Sequence, residues 1–420
     1  MGKSLFIKQL KNNKTYLIFF IFLLLFTKAH VGSWNDASRM ATIESLVERG
    51  NFIIDNSTYN WTGDKVYING HFYSDKLPVL SFLASGPYFL LKKNGLSFKD
   101  NENVVYRTLT LLFSGIPALI ALLFFEKSLK LIEVRKKVRN KLLLGLGFAT
   151  LLLPWSIVFN NHVITGAFLF IAFYLLLKSR ICRLSFANIF VAGLLASLAI
   201  AIDMIVGIVF FFCFLLYINL SFQRKYMLFY LLATIPFLFL HSILNYQVSR
   251  TPIPVTFYPE YFFYEGSEWK LKQLSGFAEH SFSSLVTYAF HSLIGFHGLF
   301  SFSPILLIFP FALLRYKKIK ILKKEVILLS VAIIVTLSFF ILRTNNYGGF
   351  SYGIRWFVPL IPFMFFVGSL HLRDDFPYFL PLFIISSIIS IIGVINPWTD
   401  MTAGPIPIIN NLLEVVKVIK

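Results

Sequence analysis

The feature that most constrains this chain is a series of about eleven apolar runs, most of them close to the length that crosses a bilayer. A membrane-spanning helix needs about 20 consecutive apolar residues. The pattern therefore predicts an all-α polytopic membrane protein with one transmembrane helix per run. The runs cover residues 15–33, 103–125, 142–159, 163–178, 187–204, 205–221, 226–246, 299–314, 326–342, 357–371 and 377–396.

The composition excludes the other classes of protein. Hydrophobic residues make up 57% of the 420 residues, and charged residues only 14%, against about 25% in an ordinary soluble domain. A water-soluble globule cannot bury that much apolar surface, and the same hydrophobicity excludes disorder. Cys182 and Cys213 both lie outside the long polar loops, so no structural disulfide is expected.

The N-terminus has two readings, a signal peptide and a retained first span. Lysines precede the apolar run that ends at Phe26, as in a signal peptide. The following Thr27-Lys28-Ala29 is a poor small-residue cleavage site, so the run is interpreted as a retained first span.

The distribution of basic residues orients the bundle. The net charge of +19 arises mainly from short loops that are rich in Lys and Arg and poor in acids. With the N-terminus inside, all of these loops fall on the cytoplasmic side, as the positive-inside rule requires. The excess of positive charge therefore calls for no nucleic-acid partner. The loops contain Lys127, Lys130, Arg135, Lys136, Lys137, Arg139 and Lys141, then Lys178, Arg180 and Arg183, then Arg224 and Lys225, and finally Arg315, Lys317, Lys318, Lys320, Lys323 and Lys324.

Three outward segments stand out within a single membrane domain of residues 1–420. They cover about 34–102, 247–298 and 343–356. The tail after Asn396 is also expected outside, where it could form a short interfacial helix. The sequons at Asn56 and Asn60 matter only in a eukaryotic host.

The first outer segment opens with an amphipathic pattern over residues 36–49. Apolar side chains recur at helical spacing, Asp36 or Asn35 suits the N-cap, and Gly50 suits the end of the helix. Asp36 and Arg39 then lie one turn apart on the same side. A purely structural alternative has Asp36 capping the helix and Arg39 extending its charge to the membrane surface.

An Asp75-Lys76 pair follows in the same segment, just before an apolar stretch from Val79 to Leu91. A lysine there can meet a lipid phosphate as a point charge. The adjacent carboxylate can hold a substrate hydroxyl, a cation or the lysine itself. The alternative is an interfacial anchor with no role in binding.

Together these elements resemble the GT-C membrane glycosyltransferases, most closely the branch of protein O-mannosyltransferases and the lipid A aminoarabinose transferase. That branch has Asp-Glu-x-Arg-Tyr-Ala after the first span, then Glu-Lys-Pro-Pro. Ala37 replaces the second acid and Leu77 the first proline, so any role of that second acid is lost or moved. The matching residues are Asp36-Ala37-Ser38-Arg39-Met40-Ala41 and Asp75-Lys76-Leu77-Pro78.

The resemblance implies a GT-C-like bundle with interfacial helices in the first outer loop and an inverting transfer of sugar from a polyprenyl-phosphate donor. It places the catalytic base at Asp36. One carboxylate can take the acceptor's proton, and cations can stabilise the leaving phosphate. Arg39, Lys76 and Arg355 are the candidate phosphate-binding residues, and Asp75 is a candidate for substrate binding.

Other outward polar residues extend the candidate site. Asn161 and His162 lie in a short outer turn, where they could contact a sugar or simply form an Asn-rich turn. Asp203 ends a span, and a charge at membrane depth is a functional candidate unless it caps a helix. Tyr347 lies in the glycine-rich third segment, shortly before Arg355. This segment could lie close to a ligand, or it could be a turn followed by an interfacial Arg-Trp anchor.

A divalent metal is left open and is not required. The aminoarabinose-transferase branch holds a metal partly through the acid of its Glu-Lys element and a later histidine. Asp75 with His291 or His297 could reproduce that set. The spacing of these residues by itself establishes no metal site.

The sequence thus predicts a multi-pass glycosyltransferase, transferring a hexosyl or pentosyl group, in a bacterial inner (plasma) membrane with its active site on the outer, periplasmic side. Its partners would be a polyprenyl-phosphate sugar, a lipid, glycan or protein acceptor, and membrane lipids. The alternatives are a transporter or flippase of lipid-linked sugars and an enzyme of the O-antigen ligase or polymerase type.

Overall fold

The computed structural model describes residues 14–267, 269, 280–318, 322–370 and 377–419. In this part of the chain the regular structure is almost entirely helical, and the strands form a single two-stranded hairpin. Lys3, Lys8 and Lys11 of the basic N-terminus, Lys320 of the last basic loop and residues 270–279 of the second outer segment lie outside the described residues.

The principal helices are numbered α1 to α17, and the two strands are β1 (Lys65–Ile68) and β2 (His71–Ser74). The helices are α1 (Lys14–Phe26), α2 (Trp34–Glu48), α3 (Pro78–Lys93), α4 (Phe98–Leu131), α5 (Lys136–Phe148), α6 (Leu152–Trp155), α7 (His162–Ile181), α8 (Phe186–Ile202), α9 (Met204–Ser221), α10 (Lys225–Ser249), α11 (Phe282–Leu293), α12 (Leu299–Phe302), α13 (Pro304–Leu314), α14 (Lys323–Arg343), α15 (Arg355–Ser369), α16 (Phe379–Ile395) and α17 (Pro407–Ile419).

The predicted spans correspond to single helices with two exceptions, the runs 142–159 and 299–314, the second of which is divided at Ser303 between α12 and α13. In the described residues, α4, α7, α9, α10 and α14 are long and apolar enough to cross a membrane, and α1, α8, α13, α15 and α16 are shorter apolar helices. The run 142–159 is instead divided between α5 and the short α6. Gly145, Gly147 and Pro154 fall in this run, and glycine and proline are the weakest helix formers. The prediction of an all-α polytopic membrane protein is confirmed.

Helix α2 differs from its predicted form in two respects. Its N-cap is Ser33, and Asp36 is the third helical residue, whose carboxylate completes a capping box with Ser33. Every residue from Asn35 to Ser45 is buried, so the helix lies inside the outer segment rather than exposing a polar face. Glu44 is buried because its carboxylate accepts hydrogen bonds from Thr58 Oγ1 and Thr58 N, each at 2.8 Å. The predicted end of the helix is confirmed, since Gly50 follows it with φ +70°.

A tight hairpin brings two separate parts of the first outer segment together. Strands β1 and β2 pair antiparallel with Lys65 opposite Ser74. Asn69 and Gly70 form the two-residue turn with φ of 50° and 90°, as a type I′ hairpin requires. The residues just outside the strands, Asp64 and Asp75, therefore become neighbours.

Close packing of α7 against α15 brings their outer ends side by side. A Cβ atom at Gly166 would lie 2.9 Å from Cα of Pro359, so a side chain would push the helices apart. This approach brings the turn before α7 near the segment that carries Arg355.

Two buried glutamates lie among the basic loops that are predicted to face the cytoplasm. Glu126 accepts a hydrogen bond from Tyr16 at 2.8 Å and pairs with Lys130 at 2.9 Å. Glu325 pairs with Arg180 and accepts a hydrogen bond from the hydroxyl of Tyr217. Successive spanning helices run in opposite directions, so these contacts lie at the opposite end of the bundle from Asp36.

The chain after α16 folds back onto the outer end of the bundle. The tail forms the helix α17, and its interfacial position stays a prediction. Asn411 on α17 donates hydrogen bonds to the carbonyls of Ile392 and Asn396, and its side-chain oxygen accepts one from Thr399. These bonds fix Trp398, which is 4% exposed.

Candidate functional site

The predicted site residues come from six separate parts of the chain, and eight of the nine are joined by hydrogen bonds or charge interactions at one end of the bundle. They come from α2, the end of the hairpin after β2, the turn before α7, the junction of α8 and α9, the third outer segment and the start of α15. The eight are Asp36, Arg39, Asp75, Lys76, Asn161, His162, Asp203 and Arg355.

Asp36 is fully buried and fully hydrogen-bonded. Its Oδ1 accepts from the amide and the hydroxyl of Ser33 at 2.8 and 2.9 Å. Its Oδ2 accepts from the amide of Gly32 at 3.1 Å and from the hydroxyl of Tyr106 at 2.6 Å. Burial raises the pKa of Asp36, and the bonds from Tyr106, Gly32 and Ser33 oppose that rise. The carboxylate is therefore held rigidly, and a proton could reach it only if one of these bonds shifts.

Arg39 is a buried cation with free donors. It is 3% exposed, and its Nη2 donates to Asn161 Oδ1 at 3.0 Å. Its Nε and Nη1 are buried and have no hydrogen-bond partner among the described residues. Burial lowers the pKa of Arg39 to about 10, a change that Asp75 opposes and Arg355 reinforces. The guanidinium therefore does not reach to the membrane surface as the structural alternative assumed.

The two ends of the hairpin form an Asp-Lys-Asp cluster. Lys76 Nζ lies 2.7 Å from Asp64 Oδ2 and 2.9 Å from Asp75 Oδ2. Asp75 Oδ1 is buried without a hydrogen-bond partner among the described residues. Burial raises the pKa of Asp75 to about 6, against the opposing charge of Lys76 and with a further rise from Asp64. Since two carboxylates already neutralise Lys76, it is less available to a phosphate than Arg39.

The turn before α7 serves two different purposes. Asn160 holds the turn, because its Oδ1 accepts from the amides of His162 and Val163 and its Nδ2 donates to the carbonyls of Trp155 and Val158. The neighbouring Asn161 instead faces Arg39. Asn160 therefore holds the turn, whereas Asn161 contacts another predicted site residue, Arg39.

His162 and Asp203 form a buried pair, with His162 Nδ1 at 2.7 Å from Asp203 Oδ2. They are 5% and 7% exposed. Asp203 lies between α8 and α9, yet its side chain makes no capping bond to α9. Its carboxylate is used to hold the imidazole.

Arg355 lies at the start of α15. Its guanidinium lies over the ring of Trp398, 5.0 Å from the ring centroid. Its Nε is buried without a partner among the described residues. Asp64, Asp36, Asp75 and Asp203 all interact with its charge. At Gly348, a Cβ atom would lie 3.3 Å from Cγ of Arg355, so the absence of a side chain there lets the third outer segment pass beside this arginine.

Tyr347 lies beside the cluster in an aromatic column. Its ring is stacked on His297 with centroids 4.8 Å apart and packs against Tyr288 at 4.5 Å. Its φ of 53° is unusual for a tyrosine. Tyr347 precedes Gly348 directly, which places the column next to Arg355.

The candidate metal ligands are not assembled. No group of three or more His, Cys, Asp and Glu side chains in the described residues could hold a metal ion. His297 and His291 flank Tyr347, whereas the recorded contacts of Asp75 are with Lys76, Asp64 and Arg39. The residues present do not fit a metal held jointly by Asp75 and these histidines, and no reaction step is derived through one.

Three residues of the site were missed by sequence analysis. They are Asp64, Tyr106 and Trp398. The Asn69-Gly70 turn between two alternating segments could have predicted the hairpin, and with it the pairing of Asp64 with Asp75. Tyr106 sits within a long helical run and Trp398 in the tail, where no local pattern distinguishes them from core or anchor residues.

The arrangement can bind an anion and can accept or donate a proton. Arg39 and Arg355 repel each other, and both keep buried N–H groups without partners in the described part of the chain. Such donors favour an oxyanion that would satisfy several of them at once. The carboxylates around them lie in different environments, and such differences separate pKa values as acid-base chemistry requires.

The fold is similar to that of ArnT. The crystal structure of ArnT from Cupriavidus metallidurans bound to undecaprenyl phosphate matches 94% of this chain and 64% of the ArnT chain, with a TM-score of 0.52 and 15% sequence identity. The apo structure matches 86% of this chain and 60% of ArnT, with a TM-score of 0.51 and 14% identity.

These matches establish the fold, and they confirm the predicted GT-C-like bundle of an integral membrane protein. This chain spans about 64% of the length of ArnT. No protein-family model and no curated protein matches the sequence.

Proposed function

We propose that this chain is a membrane glycosyltransferase that moves a sugar from a polyprenyl-phosphate carrier to an acceptor hydroxyl. The observation that carries the proposal is the pair Arg39 and Arg355. Both keep N–H groups that have no partner among the described residues and lie among buried carboxylates at one end of the bundle. ArnT shares the fold and was crystallised bound to undecaprenyl phosphate. A polyprenyl phosphate is therefore the ligand proposed for this chain.

The phosphate of the donor is assigned to the two arginines. A guanidinium presents a planar set of donors that matches phosphate oxygens. Within the described part of the chain, two buried nitrogen donors of Arg39 and one of Arg355 have no partner. Lys76, held by Asp64 and Asp75, would contribute positive charge next to the phosphate rather than a free donor.

The proposed reaction is a single displacement with inversion. The acceptor oxygen forms a bond to the anomeric carbon, the bond between that carbon and the phosphate oxygen breaks, and the polyprenyl phosphate leaves with the electron pair. Arg39 and Arg355 stabilise the negative charge of the leaving phosphate. Asp36 is the proposed general base that takes the acceptor's proton. Its raised pKa supports this assignment, and the reaction requires one of its present hydrogen bonds to lengthen.

The site is proposed to face the outer, periplasmic side of a bacterial inner membrane. The basic loops lie at the end of the bundle away from Asp36, and such loops stay in the cytoplasm. A donor sugar of the hexose or pentose class and a lipid, glycan or protein acceptor complete the proposal.

Two other functions remain as alternatives. A transporter of lipid-linked sugars needs charges in mid-membrane and paired broken helices, whereas the charges of the described site lie at helix ends. A ligase of the O-antigen type would depend on His291 and Arg355 and would be insensitive to Asp36.

The test is transfer from labelled undecaprenyl-phosphate sugars, supplied one sugar at a time to the protein in vesicles that contain candidate acceptors. Asp36→Asn should abolish transfer while the protein stays folded. Full transfer by Asp36→Asn would refute its role as the base, and movement of the lipid without transfer would support the transporter.

Binding of undecaprenyl phosphate to protein in nanodiscs tests the phosphate site separately. Arg39→Gln and Arg355→Gln should each weaken binding by about tenfold or more, as expected for loss of charged hydrogen bonds. Arg49→Gln is the matched control, because Arg49 caps the end of the same helix and bonds Ser45 outside the site. Equal binding by all three variants would refute the assignment.

A further inference from the structure

The His162–Asp203 pair leaves one imidazole nitrogen available to a ligand. Nδ1 is engaged by Asp203 at 2.7 Å. Nε2 makes no hydrogen bond to any residue in the described part of the chain, and it is not sealed from solvent. A carboxylate can only accept at Nδ1, so the hydrogen-bond network assigns the neutral ring's proton to Nδ1. Nε2 is then a hydrogen-bond acceptor.

The surroundings of the ring are otherwise rich in donors. Asp203 is the acidic residue that interacts with its charge, and Arg39 and Arg355 interact with it as well. Asn161, the next residue in the chain, accepts from Arg39 Nη2 at 3.0 Å. An acceptor atom thus lies within the electrostatic influence of the two guanidinium groups assigned to the phosphate.

We propose that His162 Nε2 accepts a hydrogen bond from a hydroxyl group of the sugar carried by the donor lipid, with Asp203 as the residue that positions the ring. The proposal rests on the proposed function and adds a specificity determinant to it. It selects donors whose sugar carries a neutral hydroxyl close to the phosphate.

The chemistry separates this role from that of the arginines. A phosphate oxygen is an acceptor and cannot satisfy a second acceptor such as Nε2, whereas a hydroxyl can donate to it. The hydroxyl could belong to the sugar or to the acceptor substrate. The sugar is favoured because it is bonded to the phosphate, and the ring lies within the charge environment of both phosphate-binding candidates.

The experiment compares two lipids that differ only in the sugar. Binding of undecaprenyl phosphate and of undecaprenyl-phosphate sugars to the protein in nanodiscs is measured for the wild type, His162→Gln, His162→Ala and Asp203→Asn. We expect His162→Ala to lose about tenfold in affinity for the lipid with the sugar, the scale of one hydrogen bond, and to bind the sugar-free lipid as the wild type does.

Two variants separate recognition from a purely structural role. His162→Gln restores an acceptor oxygen and should recover part of the preference for the sugar-bearing lipid. Asp203→Asn should lower that preference without abolishing binding of undecaprenyl phosphate. A donor whose sugar lacks the recognised hydroxyl should bind the wild type and His162→Ala equally.

The outcomes are distinguishable. An equal loss for both lipids in His162→Ala, or no loss for either, would overturn the inference while leaving the phosphate site intact. A rise in KM for the acceptor alone would also overturn it and assign Nε2 to the acceptor hydroxyl. Failure of the wild type to bind either lipid would overturn the proposed function, and this inference with it.

Discussion

The hydroxyl of Tyr106 donates a hydrogen bond of 2.6 Å to Asp36 Oδ2 and so joins the first outer segment to the membrane-spanning helix α4. The two residues are 70 positions apart, and both are completely buried. The same hydroxyl accepts a bond from the amide of Phe159 at 3.3 Å. One phenol therefore couples the proposed base, a spanning helix and the turn that leads to His162.

Removing this hydroxyl should destabilise the protein and impair the site. Tyr106→Phe leaves a buried carboxylate and a buried amide each short of a partner, at a cost of about 1–3 kcal/mol. We expect a lower midpoint of thermal unfolding in detergent and slower transfer. Tyr67→Phe is the control, since Tyr67 is 41% exposed on the hairpin. Equal unfolding midpoints for the wild type and Tyr106→Phe would contradict the assigned contact.

Lys76 should be essential to the folded outer segment. Lys76→Met leaves Asp64 and Asp75 facing each other without a cation, and loss of one partner from a buried ion pair costs about 3–5 kcal/mol. The unfolding midpoint in detergent should fall sharply. Lys92→Met is the matched control, because Lys92 pairs with Glu48 at 3.0 Å and its side chain is 41% exposed. Adding Asp64→Asn to Lys76→Met should recover part of the loss, and no recovery would argue against repulsion as its cause.

Asp75 should give the stability of the protein a measurable pH dependence. Its pKa is raised from 3.8 to about 6, so the folded state binds this proton more tightly than the unfolded state does. The corresponding stability is fully present below the unfolded pKa and is lost as pH rises through about 6.

We therefore expect the unfolding midpoint of the wild type to fall across this window relative to that of Asp75→Asn, which does not titrate. Asp100→Asn, at an exposed position at the start of α4, should follow the wild type. If the unfolding midpoints of the wild type and Asp75→Asn change in parallel with pH, the Asp75 carboxyl titrates as it does in the unfolded chain.

Trp398, in the tail, should hold Arg355 in position at the proposed phosphate site. Trp398→Ala removes the ring beneath Arg355 and leaves a cavity next to Trp155, whose ring lies 4.8 Å away edge-on. A large-to-small change of this kind costs about 3–5 kcal/mol, and binding of undecaprenyl phosphate should weaken as Arg355 loses its position. Trp398→Phe should retain part of both properties. Trp61→Ala, at a residue that is 53% exposed, should change neither, and wild-type binding by Trp398→Ala would disprove the connection.

The sequence determined the elements of the fold and the chemical types of the site residues. Runs of apolar residues fix where helices can cross a membrane, because only a helix satisfies its own backbone in lipid. The order of these helices then puts every outer turn at one end, which is why Asn161, His162, Asp203 and Arg355 could be named together in advance. The pattern after the first span likewise predicted α2 and the pair Asp36 and Arg39.

The tertiary structure decided what each of these residues is free to do. Contacts between residues far apart in sequence complete the hydrogen bonding of Asp36, neutralise Lys76 and tie His162 to Asp203. Arg39 and Arg355 keep N–H groups without a partner among the described residues. Hydrogen bonding and desolvation depend on neighbours in space, and local spacing along the chain carries little information about them. That is the physical reason why Asp64, Tyr106 and Trp398 emerged only from the folded chain.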